Sequence, residues 1–484
     1  MDKRPNILII MSDQHSPHIL GCAGDRVVRT PSIDNLAKEG VLFSHAYCGG
    51  PLCVPSRMSF LSGRHCSDTG VFTNSGVLPS DTPTFAHALG ASGYETVLCG
   101  RMHFSRDNPQ HGFEKKLVGD VSTRWSSRAG GYIFGDIPKG LNSQSRVAVE
   151  IAGAGRTAYQ AFDRDVAGAA VEFINGRSGS DRPFCLVTGL ILPHCPFICP
   201  GELFDEYLAK VDIPRMAPEE RANLNPAMKK WREVHGVDNL SDIQVRTARA
   251  AYYGLVTMVD GFVGRIMEAL EEKGLRQNTA VFYTSDHGEM AGEHEMWWKS
   301  NFYEASAGVP LVASLPGVFS QGAICRHPVS LLDISPTLLQ IAGAGKLPGE
   351  AGESLLPCLE GKCAEERRGD IFSEFFDIDV GTPVRMVVRW PWKLVHYHGF
   401  SDPQLFNLED DPGETHDCGS DPLFAGIKEE LTALVQKDWD AKDVIRARAE
   451  EAENSKIISA WTRSVEPPDR ECWEPPPGSN VFPE

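Results

Sequence analysis

The stretch Asn6-Ile-Leu-Ile-Ile-Met-Ser-Asp13-Gln14 decides the fold. Its aliphatic run has no polar alternation, which is the pattern of a strand buried on both faces of a sheet. The run is too short for a secretory signal core or a membrane-spanning helix, and it stops in a carboxylate and a carboxamide. Three further runs behave in the same way: 95–99 leads to Arg101 and His103, 184–192 to His194, and 280–285 to Asp286 and His287. Amphipathic helical patterns at 32–39, 82–92, 162–175 and 246–272 lie between them. Strands alternating with helices predict an α/β fold, a large mostly parallel sheet flanked by helices. In such sheets ligands bind beyond the carboxyl ends of the strands, so four reactive strand endings predict one site.

The chain of 484 residues is long enough for two or three units. Residues 1–364 read as the catalytic domain. From 365 the texture changes: 385–397 reads as antiparallel strand, Leu405 opens a strand and turn, and 424–450 reads as helix. A smaller α+β subdomain is therefore expected over 365–463. The remainder, 464–484, carries Pro467, Pro468 and Pro475 to Pro477 and is expected to be extended, either disordered or laid across a partner subunit.

A net charge of −18 disfavours nucleic acid and anionic membrane surfaces as partners. Thirteen cysteines without paired spacing fit reduced thiols better than a disulfide framework, and with no export signal in view a cytoplasmic location is expected.

The sharpest local signal is Cys53-Val-Pro-Ser-Arg57, followed by Met-Ser-Phe-Leu-Ser-Gly-Arg64. Pro55 can start a short helix and Gly63 can end it, which places Cys53 before a helix N-terminus. That setting favours negative charge on its side chain, and Arg57 can reach back to the same place. A lone cysteine here would read as core filler. Asp13, Asp286 and His287 together make an oxygen-rich set suited to Ca²⁺ or Mg²⁺, with the imidazole adding Mn²⁺ as an alternative.

The string Cys-x-Pro-Ser-Arg with its helix ending in Gly-Arg resembles the signature of the formylglycine-dependent sulfatases of the alkaline phosphatase superfamily. In that family the cysteine is converted to formylglycine (3-oxoalanine) by a separate maturation enzyme. The resemblance extends over most of the chain, through Arg4-Pro-Asn-Ile-Leu-Ile-Ile-Met-Ser-Asp-Gln14, Thr30-Pro-Ser-Ile-Asp-Asn-Leu-Ala, Tyr283-Thr-Ser-Asp-His-Gly-Glu-Met-Ala-Gly-Glu-His294 and Leu405-Phe-Asn-Leu-Glu-Asp-Asp-Pro-Gly-Glu-Thr415. The pairs Asp13-Gln14 and Asp286-His287 are similar to the branch containing choline sulfatases and phosphonate monoester hydrolases.

The resemblance implies an alkaline phosphatase-like fold and one divalent metal, Ca²⁺ first, held by Asp13, Asp286, His287 and residue 53. It implies that the hydrate of formylglycine 53 attacks sulfur, with Arg57 steadying it and Lys299 and Arg101 holding sulfate oxygens. His103 would assist the second proton removal and His194 would sit beside the leaving group. Gln14 is a weak ligand or a substrate contact on this reading. Asn74 matches a substrate-contacting asparagine of the same branch, though before Ser-Gly it also reads as a turn residue. Trp298, with Trp297 and Trp125, reads either as an aromatic wall against substrate or as core.

The nearest rival activity is hydrolysis of phosphonate monoesters or phosphodiesters by the same parts, against which Arg101-Met102-His103 stands. A non-enzymatic anion-binding protein and a two-metal phosphatase are further alternatives, and the second lacks its additional ligands here. The expected substrate is a small sulfate ester, and a homo-oligomer, dimer or tetramer, is expected.

Overall fold

The computed structural model describes residues 4–104, 110–121, 134–178, 181–362, 369–466 and 472–483. Trp125 lies outside them. Eight strands form the main sheet in the order Ala323–Cys325, Val41–Phe43, Leu311–Ser314, Thr279–Ser285, Asn6–Asp13, Phe184–Pro193, Glu95–Gly100 and Lys115–Lys116. Every pairing is parallel except the two made by Leu311–Ser314, which runs against both of its neighbours.

The opening strand is buried at all eight positions, as its unbroken aliphatic run requires. Its side chains alternate between two cores. Leu8 and Ile10 join the layer containing helices Pro31–Lys38, Ala158–Asn175 and Asp242–Glu272. Ile7, Ile9 and Met11 join the layer containing Cys53–Ser62, Phe85–Ala91 and Ile334–Ala342. All four strands expected from sequence are present, and the four helices begin and end within a few residues of their expected limits.

Register brings the strand ends together. Ser12 pairs with Ser285 immediately before Asp286, Asp13 pairs with Pro193 immediately before His194, and Gly100 pairs with Gly189 immediately before Arg101. Gly189 is required there, because the Arg101 N–H donates to its carbonyl and an added Cβ would sit 1.8 Å from the Arg101 carbonyl oxygen.

The C-terminal part forms a four-stranded antiparallel meander of Asp370–Asp377, Thr382–Arg389, Trp392–Tyr397 and Gln404–Asn407. The stretch 385–397, expected as one strand, is two, because the chain turns at Trp390-Pro391. The expected helix 424–450 is also two, Ala425–Gln436 and Ala441–Val465, separated where Asp440 caps the second by accepting from the Lys442 N–H. Lys393 ties this sheet to the main domain. It is buried and reaches Glu304 at 2.7 Å, the Phe302 carbonyl at 2.8 Å, and Glu414.

The described part of the tail, 472–483, makes contacts with its own chain. Cys472 bridges to Asp120 and Val481 to Arg156, and Asn480 both accepts from the Ala158 N–H and donates to the Phe134 carbonyl. The expectation of reduced thiols fails among the described residues at Cys358, which is disulfide-bonded. Among the described residues no helix is long and apolar enough to cross a membrane.

Candidate active site

Cys53 is the first residue of the helix Cys53–Ser62, one position further in than a preceding turn, and all ten helix residues are buried. Gly63 ends the helix in the left-handed conformation. Asn74 caps the other end, its Oδ1 accepting the Val54 N–H at 3.0 Å. That bond gives Asn74 a structural task beside the substrate contact expected of it.

The Cys53 sulfur lies 3.3 Å from His287 Nε2, 3.4 Å from Lys299 Nζ and 3.7 Å from Asp13 Oδ1. One ligand atom each from Asp13, Cys53, Asp286 and His287 can be chosen so that all four lie within 4.8 Å of one another. His287 Nδ1 faces the Gly288 carbonyl at 3.0 Å, and only an N–H can bond there, so the Nε2 lone pair is left turned toward the cluster. The donors therefore fit a divalent cation.

Arg57 braces both carboxylates. Its Nε donates to Asp286 at 2.8 Å, Nη2 to Asp13 at 3.2 Å and Nη1 to the Arg101 carbonyl at 3.0 Å. Arg101 Nε donates to Asp13 at 2.7 Å. Burial alone would raise the Asp13 pKa, but Arg101, His194, Arg57 and Lys299 together hold it well below the usual carboxylate range. Asp13 is thus an anion throughout the neutral range.

Burial works against the Lys299 charge, yet Cys53 and Asp13 keep its pKa above the ordinary lysine value. Burial lowers His194, and Lys299 lowers it further. His103 is held well below the usual histidine range by burial and then by Arg101. Arg101 Nη2 lies 2.9 Å from His103 Nδ1 and can only donate, which fixes a neutral ring protonated on Nε2. For Nδ1 to act as a base, that bond must be released.

The structure brings together ten expected residues: Asp13, Gln14, Cys53, Arg57, Arg101, His103, His194, Asp286, His287 and Lys299. Trp298 takes the core alternative of its two expected readings. That ring is wholly buried against Trp231 and His235, and Trp297 packs on Phe197. Two carboxylates were not foreseen. Asp120 accepts the Met102 and His103 N–H groups at 3.1 and 2.6 Å and so fixes the loop carrying Arg101. Glu289, in the Asp-His-Gly-Glu run, accepts from Gln14. Its place three residues after Asp286 was a usable signal; Asp120 had none.

Three buried cations gathered around Cys53 and Asp13, with Lys299 against the Cys53 sulfur and Arg57 and Arg101 on Asp13, suit a tetrahedral anion. The class defined is a hydrolase of sulfuryl or phosphoryl esters. Comparison with known proteins narrows it. Residues 5–344 match the Sulfatase family model, and residues 292–440 match the model described as N-sulphoglucosamine sulphohydrolase, C-terminal. The chain belongs to the sulfatase family and is a sulfuric ester hydrolase.

It is 31% identical to a choline-sulfatase of Rhizobium meliloti (strain 1021) over 454 residues, covering 89% of this chain and 85% of that protein. It is 29% identical to arylsulfatase K of Danio rerio, covering 96% and 88%. Among solved structures, the phosphonate monoester hydrolase of Agrobacterium radiobacter superposes with a TM-score of 0.74 at 24% identity, covering 93% of this chain and 96% of that one. That likeness concerns the fold.

Proposed function

We propose that the chain hydrolyses a small sulfate ester, with residue 53 in its formylglycine form as nucleophile. The observation that carries this reading is the surroundings of the Cys53 sulfur, within 3.3–3.7 Å of His287, Lys299 and Asp13. A divalent cation held by Asp13, Asp286, His287 and residue 53, Ca²⁺ ahead of Mn²⁺ or Mg²⁺, would supply Lewis-acid stabilisation of negative oxygen.

The side chains divide the remaining work. Lys299 and Arg101 bind the sulfuryl oxygens and Arg57 holds residue 53 and both carboxylates in place. A hydroxyl oxygen of the hydrate gives its proton to the Asp13 carboxylate, 3.7 Å from the residue 53 side chain, and bonds to sulfur as the bond from sulfur to the ester oxygen breaks, while His194 protonates that departing oxygen. Burial and Lys299 lower the His194 pKa; the negative charge of a bound sulfate ester acts in the opposite direction. The second hydroxyl of residue 53 then gives up its proton to His103, released from Arg101, and its electrons close the aldehyde while sulfate leaves. Serine could not do this, having one oxygen.

The reading includes maturation by a formylglycine-generating enzyme, a cytoplasmic location and a dimer or tetramer, which light scattering checks. The main test compares initial rates of matured protein on an aryl sulfate and the matching phosphonate monoester and phosphodiester, with Cys53→Ala as control. Faster sulfate hydrolysis that vanishes in the control supports it. Preference for the phosphonate or diester favours the alternative activity, and activity surviving Cys53→Ala overturns the nucleophile.

A further inference from the structure

Glu289 is wholly buried and is absent from the four-residue group that could hold a metal. Its two oxygens do different things. Oε1 accepts the Ala291 N–H at 2.8 Å and the Trp298 N–H at 2.6 Å, gathering both sides of the loop that leads to Lys299. The Met290 N–H closes the same loop on the Trp298 carbonyl at 2.8 Å. Along it Ala291, His294, Glu295, Trp298 and Ser300 hold φ between 46° and 64°, although none is glycine. Left-handed backbone at such residues persists only where the surroundings enforce it.

Oε2 accepts from Gln14 Nε2. The Gln14 Oε1 consequently points the other way, where it accepts from Lys299 Nζ at 2.5 Å, and Nζ in turn stands 3.4 Å from the Cys53 sulfur. A carboxylate only accepts and an ammonium only donates, so the carboxamide between them has one permitted orientation. One buried carboxylate therefore sets the Lys299 backbone and, through Gln14, the end of its side chain. A residue serving only to fill space would be apolar, since burying a carboxylate is costly.

We infer that Glu289 is a positioning residue, which aims the Lys299 ammonium at residue 53 through Gln14 and the 290–298 loop; this rests on the sulfatase reading of the site. In Glu289→Gln the loop N–H groups keep an acceptor, but an amide N–H now faces Gln14. Gln14 must turn, and its own N–H₂ then opposes the ammonium. Replacing Gln14 as well, in Gln14→Glu/Glu289→Gln, restores every donor and acceptor direction with the same total charge.

The test measures kcat and KM on an aryl sulfate and inorganic sulfate affinity by calorimetry, for the matured wild type, both single variants and the double. Loss of a residue that orients a ligating or catalytic group typically lowers activity about 10–100-fold. Expected are a loss of that size in kcat/KM and weaker sulfate binding in Glu289→Gln, with the melting temperature retained, and recovery of about tenfold or more in the double variant. Glu289→Gln within about twofold of wild type, or a folded double variant no better than the folded singles, overturns the inference. If Glu289→Gln does not fold, Gln14→Glu is compared with the double, and a double no more active than Gln14→Glu overturns it. A wild type without sulfatase activity fails the underlying reading instead, before any variant is compared.

Discussion

Replacing Arg57 by Met tests the electrostatic balance on which the site rests. The three anions Asp13, Asp286 and Glu289 face the three cations Arg57, Arg101 and Lys299, all within 3% of complete burial. Methionine keeps the apolar stem of Arg57 in its fully buried helix but removes ion pairs of 2.8 Å to Asp286 and 3.2 Å to Asp13. Each pair at such distances has a Coulomb energy of about 5 kcal/mol at an effective dielectric near 20. The guanidinium no longer has to be desolvated, which offsets several kcal/mol. The net loss from breaking one side of a buried ion pair is about 3–5 kcal/mol. The excess negative charge lies where Asp13 and Asp286 would hold a divalent cation, so an added cation should stabilise the variant more than the wild type. Urea unfolding followed by tryptophan fluorescence, with and without Ca²⁺ or Mn²⁺, reads both effects. A loss below about 1 kcal/mol in metal-free buffer, set against the 3–5 kcal/mol expected, or an equal cation effect on the two proteins, would refute the reasoning.

Two further perturbations are independent of the reaction. Lys393→Met strands Glu304 and Glu414 together in the interior, and a loss of about 3–5 kcal/mol is expected near neutral pH. Protonation relieves their repulsion, so denaturation midpoints should show a smaller deficit in mild acid; an equal deficit at both pH values would contradict this. His111 is buried with neither ring nitrogen hydrogen-bonded among the described residues, and burial, with His87 and Lys116, lowers its pKa from 6.5 to about 4. Between those values the unfolded chain binds the additional proton, so stability is lost as pH falls from 6.5 towards 4 and levels off below. His111→Phe should flatten that part of the stability curve, and an unchanged slope would show that the acid sensitivity lies elsewhere.

The main sheet was legible because buried parallel strands need unbroken aliphatic runs, and 6–11, 95–99, 184–192 and 280–285 have them. The C-terminal part was legible only in outline. Trp390-Pro391 turns one apparent strand into two, and the gap between Gln436 and Ala441 divides an apparently continuous helix. For the tail, proline content says that it is extended but not what it touches.

The sequence by itself determined the chemistry of the site, because reactive residues end strands whose burial is written in their own composition and because Cys53 opens a helix that Pro55 and Gly63 delimit locally. Only the tertiary structure decided how those residues act on one another. Glu289, Gln14 and Lys299 form a chain of bonds, Asp120 fixes the Arg101 loop, and Asn74 caps the Cys53 helix. The physical reason is range: periodicity and capping depend on residues a few positions apart, whereas Gln14 meets Lys299 across 285 positions and Arg57 meets Asp286 across 229, distances in sequence over which only the folded register selects partners.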